Sequence, residues 1–167
     1  MWPVSMLNIR PFQESEAVLL KEVRLNALQD SPSAFASKYV DQKALPDDYW
    51  LDIVLCRGKY EHSKSFLAED GGKTIAMTAC FPETKTKYRI IAMWVSPQSR
   101  SAGIGTLMLS YAEAWAQSEG ANELLVAVFS DNPQALKFYL SYGFVNLSGE
   151  QPEDERIELQ LVKSLAR

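Results

Sequence analysis

The chain has 167 residues, 47% of them hydrophobic and 23% charged, with eight Gly and eight Pro. That balance fits one globular domain and excludes disordered and low-complexity chains; the longest apolar runs, Ile90–Val95 and Leu124–Phe129, are strand-sized and far below the roughly 20 residues of a membrane span. Seventeen basic against 21 acidic side chains leave a net charge of −4, so the general electrostatic footprint of a nucleic-acid-binding protein is missing.

Leu7-Asn8-Ile9-Arg10 alternates apolar and polar residues and reads as a first strand. From Glu14 to about Asp30 the apolar positions follow a helical period, and Ser31-Pro32 ends the run because a residue before proline avoids the helical region. Leu45-Pro46-Asp47-Asp48 starts a second helix, with Tyr49, Trp50, Ile53 and Val54 on its buried face, stopped by Arg57-Gly58. Ser65–Glu69 and Thr74–Phe81 flank the Gly-rich turn Asp70–Lys73 and read as a hairpin, followed by a strand over Arg89–Val95. Ile104, Leu107, Met108, Tyr111, Ala112, Trp115 and Ala116 mark a long amphipathic helix, with Gly120 as its cap. Glu123–Phe129 is a buried strand. Asp131-Asn132-Pro133 opens a last helix that Gly143 closes, and Phe144–Leu147 and Ile157–Val162 are strands around the acidic loop Glu150–Glu155.

The order β α α β β β α β α β β contains one strand–helix–strand crossover, over 89–129. Such a unit implies a parallel strand pair inside an otherwise antiparallel sheet. The expected fold class is therefore α+β, a mixed, mostly antiparallel sheet flanked by about four helices, in a single domain over residues 7–165 with residues 1–6 as a short N-terminal extension.

Cys56 and Cys80 fit neither a metal nor a disulfide framework, and a zinc site would need both of them with His62 and a carboxylate, so no metal is expected. The N-terminus lacks a charged region followed by an apolar core of about 7–15 residues. No secretory signal or membrane partner is expected, and the location is read as cytoplasmic.

The chemistry is concentrated between Val95 and Thr106, where a strand ends and the long helix begins. Free N–H groups at a helix N-terminus, together with the helix dipole, attract anions. Gly103 and Gly105 let a phosphate approach the main chain. The dinucleotide pattern Gly-x-Gly-x-x-Gly would need glycine at position 108, which is Met108, and the P-loop pattern is absent. Arg100-x-x-Gly103-x-Gly105 instead resembles the Gln/Arg-x-x-Gly-x-Gly/Ala signature of the GNAT superfamily of N-acetyltransferases. Asn132-x-x-Ala135-x-x-Phe138-Tyr139-x-x-x-Gly143-Phe144 is similar to a second segment of that family, and Arg24-Leu25-x-Ala27-Leu28-x-x-Ser31-Pro32-x-Ala34-Phe35 to its first-helix region.

The resemblance implies a GNAT-like fold with a central splayed parallel pair and acetyl-CoA as co-substrate. It implies that the amides of Ser101, Ala102, Gly103, Ile104, Gly105 and Thr106 cradle the pyrophosphate, with Arg100 adding charge or acting structurally. The backbone of Met93, Trp94 and Val95 would pair with the pantetheine, Asn132 would bond that arm or orient the acceptor, and Phe138 would pack on it. Lys137 is placed to reach a phosphate or simply to face solvent. Tyr139 matches the family's general acid. The implied reaction moves acetyl directly to a primary amine of a small molecule or protein, and the excess acid of the chain would favour a cationic amine.

The family's usual glutamate on the strand before the phosphate loop is missing from Tyr88–Trp94. Glu69, Glu83, Tyr88 or a water relay to backbone carbonyls are the alternatives for the base, His62 reads as solvated, and Glu150–Glu155 as a solvated run or a rim of the amine pocket. A non-catalytic acyl-CoA sensor or interaction module of the same fold is the competing reading. A homodimer in contact through Trp2, Trp50 or the last strands stays open.

Overall fold

The computed structural model describes residues 6–149, 152 and 154–165. Its elements run β1 (Leu7–Pro11), α1 (Ala17–Asp30), α2 (Tyr39–Lys43), α3 (Asp47–Val54), β2 (Lys64–Asp70), β3 (Lys73–Pro82), β4 (Lys87–Val95), α4 (Ile104–Ser118), β5 (Glu123–Phe129), α5 (Pro133–Tyr142), β6 (Val145–Asn146) and β7 (Glu158–Ser164). Short 3-10 turns cover Pro32–Ala34, Gly58–Tyr60 and Pro97–Ser99.

The described strands form one sheet in the order β1-β2-β3-β4-β5-β7-β6. The β4–β5 pair is parallel, as the crossover requires, and the other neighbours are antiparallel. At the β2–β3 turn Gly71 and Gly72 take φ of +56° and +85°, the left-handed pair that matches the twist of a two-residue hairpin. Side chains of β2 alternate between two cores: Phe66 and Ala68 join the one under α4, with α5 beside it, and Leu67 joins the one under α1 and α3.

Four elements differ from the sequence reading. Helix α1 starts at Ala17, not Glu14, because the Glu16 carboxylate is turned back: it accepts from Gln13 N at 2.7 Å and pairs with both Arg10 Nη atoms at 2.7 and 2.9 Å. Helix α2 escaped notice because five residues are too few to display a period. In α4, Leu109 is buried while Leu107 stays 46% exposed, since the helix packs on β2, β3 and β4 through the side bearing Met108, Leu109, Ala112 and Ala116. Strand β6 shrinks to two residues, and β7 inserts between β5 and β6.

Candidate functional site

The parallel ladder between β4 and β5 covers only Lys87–Arg89 against Glu123–Leu125. Past Arg89 the two strands part, and Ile90–Val95 has ladder partners on the β3 side alone. On that side Met77 pairs with Trp94 and Ala79 with Ile91, so Ala92 and Met93 both stand against Thr78. This is a β-bulge, a feature that re-aims a strand next to functional sites. Ala92 takes φ +55° there, a left-handed conformation costing an alanine about 1–2 kcal/mol. Buried Thr78 helps hold it, its Oγ1 donating to Ile91 O at 3.1 Å.

The loop from β4 to α4 is fixed from beneath. Arg100 Nε donates to Val95 O at 2.9 Å, and its Nη2 pairs with Asp30 at the end of α1. Asp30 Oδ2 also accepts from Trp94 Nε1 at 3.0 Å and Ser31 Oγ at 2.8 Å. Burial opposes the charge on Asp30, but the bonds from Trp94, Ser31 and Arg100 outweigh it and hold the carboxyl below its ordinary pKa. Arg100 therefore acts as a tie, with its guanidinium already engaged. Above it, Ser101 and Gly103 take φ of +64° and +82°, and the amides of Ser101 through Thr106 donate to no group among the described residues. A Cβ on Gly103 would meet nothing within 4 Å, whereas one on Gly105 would touch Phe138 at 3.4 Å and Val95 at 3.8 Å. The result is an outward row of N–H groups at a helix N-terminus, with open space over Gly103, which fits a phosphate-bearing ligand.

A cavity of about 830 Å³ lies where the strands part. Its walls include Met93, Ala127, Asn132 and Tyr139 toward α5, and Arg24, Phe35, Tyr49 and Trp50 toward α1 and α3. Asn132 caps α5, its Oδ1 accepting from Ala135 N at 3.2 Å, which leaves its Nδ2 as a donor on the cavity wall. Tyr139 is 6% exposed and held edge-on by Phe138 and Phe144 at 5.0 and 5.5 Å. Its hydroxyl bonds to no group among the described residues, and burial pushes the phenol above the ordinary tyrosine range. Cys80 also lines the cavity, its thiol pushed up to about 12 by burial.

The site residues picked out from sequence thus form two adjoining groups. Met93, Asn132 and Tyr139 line the cavity; Val95, Phe138, Arg100 and residues 101–106 make the loop and the packing beneath it. The Trp94 side chain belongs to the α1–α3 core, leaving only its backbone beside the gap. Lys137 and His62 are exposed.

None of the side chains named from sequence as candidate bases, Glu69, Glu83 and Tyr88, lines the cavity. Glu69 bonds Arg10 and Asn8 beside β1, Glu83 pairs with Arg89, and the Tyr88 ring packs on Trp115 of α4 at 5.8 Å. Asp154 and Glu155 line a separate cleft, while Glu150, Gln151 and Glu153 lie outside the described residues. Sequence reasoning missed Glu158, the one carboxylate on the cavity wall among the described residues, and gave Arg24 no role although it quoted the segment that carries it. Trp50 is 2% exposed and offers no dimer contact, and Trp2 lies outside the described residues.

Among the described residues no helix is long and apolar enough to cross a membrane, and no cluster of side chains could hold a metal ion. The fold is shared with many acetyltransferases. A GNAT-family acetyltransferase from Streptococcus pneumoniae superposes with a TM-score of 0.76 at 19% identity, over 95% of this chain and 99% of that one. The PaiA N-acetyltransferase of Thermoplasma acidophilum, in complex with coenzyme A, gives 0.75 at 16% identity over 95% and 99%. YncA of Salmonella typhimurium, with its cofactor acetyl-CoA, gives 0.76 at 15% identity over 96% and 95%. No curated protein is significantly similar in sequence. The model of the acetyltransferase (GNAT) family matches residues 25–144, most of the sheet and the entire β4–α4 loop, and the chain belongs to that family.

Proposed function

We propose that this acetyltransferase transfers an acetyl group from acetyl-CoA directly to a primary amine. The observation that carries the reading is the juxtaposition of unpaired amides at Ser101–Thr106 with a strand gap whose cavity holds the Tyr139 ring. In this reading the amides of Ser101, Ala102, Gly103, Ile104, Gly105 and Thr106 hold the pyrophosphate, and Phe138, packed over Gly105, borders the pantetheine arm. The edge of β4 that faces away from β3, around Met93, Trp94 and Val95, bonds the arm as a neighbouring strand would, and Asn132 Nδ2 donates to one of its carbonyls. The bound thioester supplies the activated acetyl group.

An alkylammonium has a pKa near 10.4, so at neutral pH almost none of the amine is nucleophilic and a proton must leave. We assign its removal to Glu158, with water as the relay. Tyr139 remains protonated because burial disfavours phenolate, so its O–H can donate to the departing sulfur, a thiolate with a pKa near 8.5. Cys80 stays a thiol for the same reason, which favours direct transfer over an acyl-cysteine step.

Calorimetric titration with acetyl-CoA and thiol release across an amine panel test the reading. Binding with turnover is expected. Binding with silence toward every small amine and every peptide amine would mark a non-catalytic acyl-CoA module, and the absence of binding would end the acetyl-CoA assignment.

A further inference from the structure

Among the described residues three buried side-chain polar atoms have no hydrogen-bond partner: Arg24 Nη1, Trp50 Nε1 and Asp70 Oδ1. Asp70 sits at the β2–β3 hairpin. The other two are both donors, and both residues line the same cavity, at the end built by α1 and α3. A buried donor left without an acceptor carries its full desolvation cost, and a charged one carries more. Two such donors on residues that line one cavity point to an acceptor group supplied by a ligand, reached once small side-chain shifts uncover them.

The surroundings select the ligand's charge. Arg24 makes one hydrogen bond, from Nε to Gln42 Oε1 at 3.0 Å, and its guanidinium stands over the Phe35 ring at 4.8 Å. Burial lowers its pKa, and no carboxylate pairs with it among the described residues. Tyr49 meets Trp50 edge-on at 4.9 Å and Tyr60 at 6.1 Å. Burial first, and the bond with Tyr60 second, push the Tyr49 phenol up to about 12, so it brings no negative charge. Lys59 lies over the Tyr60 ring at 5.2 Å. Of the other charged wall residues, Arg89 is engaged by Glu83 and Gln160, and Glu158 faces Phe129 across the β5–β7 ladder. The α1–α3 end is therefore cationic and aromatic, in an acidic protein.

We infer that the acceptor carries a carboxylate as well as its amine: Arg24, with the Trp50 N–H, grips the carboxylate at the α1–α3 end, while the amine points to the strand gap. A free α-amino acid or a close relative meets that description. A planar guanidinium matches a carboxylate through paired N–H···O bonds, and a singly charged group costs less to bury beside aromatic rings than a phosphate monoester. The inference rests on the acetyl-transfer reading above and adds a carboxylate to the cationic amine that the acidic net charge was expected to favour.

The test measures thiol release from acetyl-CoA with the standard α-amino acids, their carboxamides, their decarboxylated amines and phosphoethanolamine. Calorimetric binding of N-acetyl amino acids and their amides in the presence of CoA runs alongside. The favoured acid should exceed its carboxamide by about 10- to 100-fold in kcat/KM, mainly through KM, the range of a charge-assisted bond. Arg24→Gln should bring that ratio near one and Arg24→Lys should restore part of it, with acetyl-CoA titration reporting whether each variant is folded. Equal use of acids and carboxamides overturns the inference, as does a preference that survives Arg24→Gln or one that favours phosphoethanolamine. So does a chain that binds acetyl-CoA yet shows no carboxylate dependence in turnover or in binding. If the unaltered chain fails to bind acetyl-CoA, the acetyl-transfer reading falls and takes this one with it; the other outcomes remove this one alone.

Discussion

At the α4 end of the site the groups left free are main-chain amides, Ser101 through Thr106; at the α1–α3 end the wall is made of the side chains of Arg24, Tyr49, Trp50 and Tyr60. A cradle of amides depends on backbone conformation, so it needs glycine at a few positions and tolerates many side chains elsewhere. A pocket of side chains depends on which residues two separate helices bring together. The first can be shared by enzymes with different acceptors, and the second can change from one acceptor to another without disturbing it.

The sharpest way to break this contrast is Gly103→Glu. A Cβ there meets nothing within 4 Å, so steric conflict within the chain is not the issue. The variant instead adds a carboxylate where the proposed reading puts a phosphate, at a φ of +82° that a side chain resists. Acetyl-CoA affinity should fall by more than about 100-fold in calorimetry, whereas Gly103→Asn, which tolerates left-handed φ, should stay within about tenfold of the original.

Tyr139→Phe comes next. It removes a hydroxyl with no partner among the described residues and keeps the ring contacts with Phe138 and Phe144. We expect kcat to drop about 10- to 100-fold with acetyl-CoA affinity nearly unchanged, measured by steady-state kinetics and titration. An unchanged kcat, with chemistry rate-limiting, would remove the acid role.

Asp30 joins the two ends, since it sits on α1 yet holds Arg100 and Trp94. Asp30→Ala should cost about 1–2 kcal/mol in urea unfolding, limited by solvent access to the carboxylate. Because the folded pKa of Asp30 is depressed, its contribution is fully present above the unfolded carboxylate value of about 3.9 and is lost as pH falls through the lower folded value. Asp30→Asn should therefore flatten the acid limb of the stability–pH curve.

The smallest effect is expected of Ser101→Ala: in the proposed reading only its amide binds, so acetyl-CoA affinity should change by less than about twofold. A large loss would show that the loop binds through side chains after all.

The same contrast explains what could be read from sequence. Gly103, Gly105, Asn132 and Tyr139 lie in short segments that resemble GNAT motifs, and such a resemblance is legible because a loop-to-helix turn or a capped helix is a local object. Arg24 and Trp50 are 26 residues apart on different helices, and each alone looks like an ordinary residue of an amphipathic helix. Glu158 could not be distinguished from the neighbouring acidic loop before β7 was seen to lie beside β5. Glu69 and Glu83 looked like candidate bases only while Arg10 and Arg89 were not known to hold them.

By itself the sequence determined the strands, the longer helices and the parallel crossover, which follow from periodicity and local turn chemistry, and its resemblance to the GNAT motifs pointed to the family and to the loop of free amides. Tertiary structure alone decided where the β4–β5 ladder stops, that Arg100 is a tie to Asp30, that β7 enters between β5 and β6, and which buried donors lack partners. Those facts depend on which distant residues come into contact, and no local pattern encodes that.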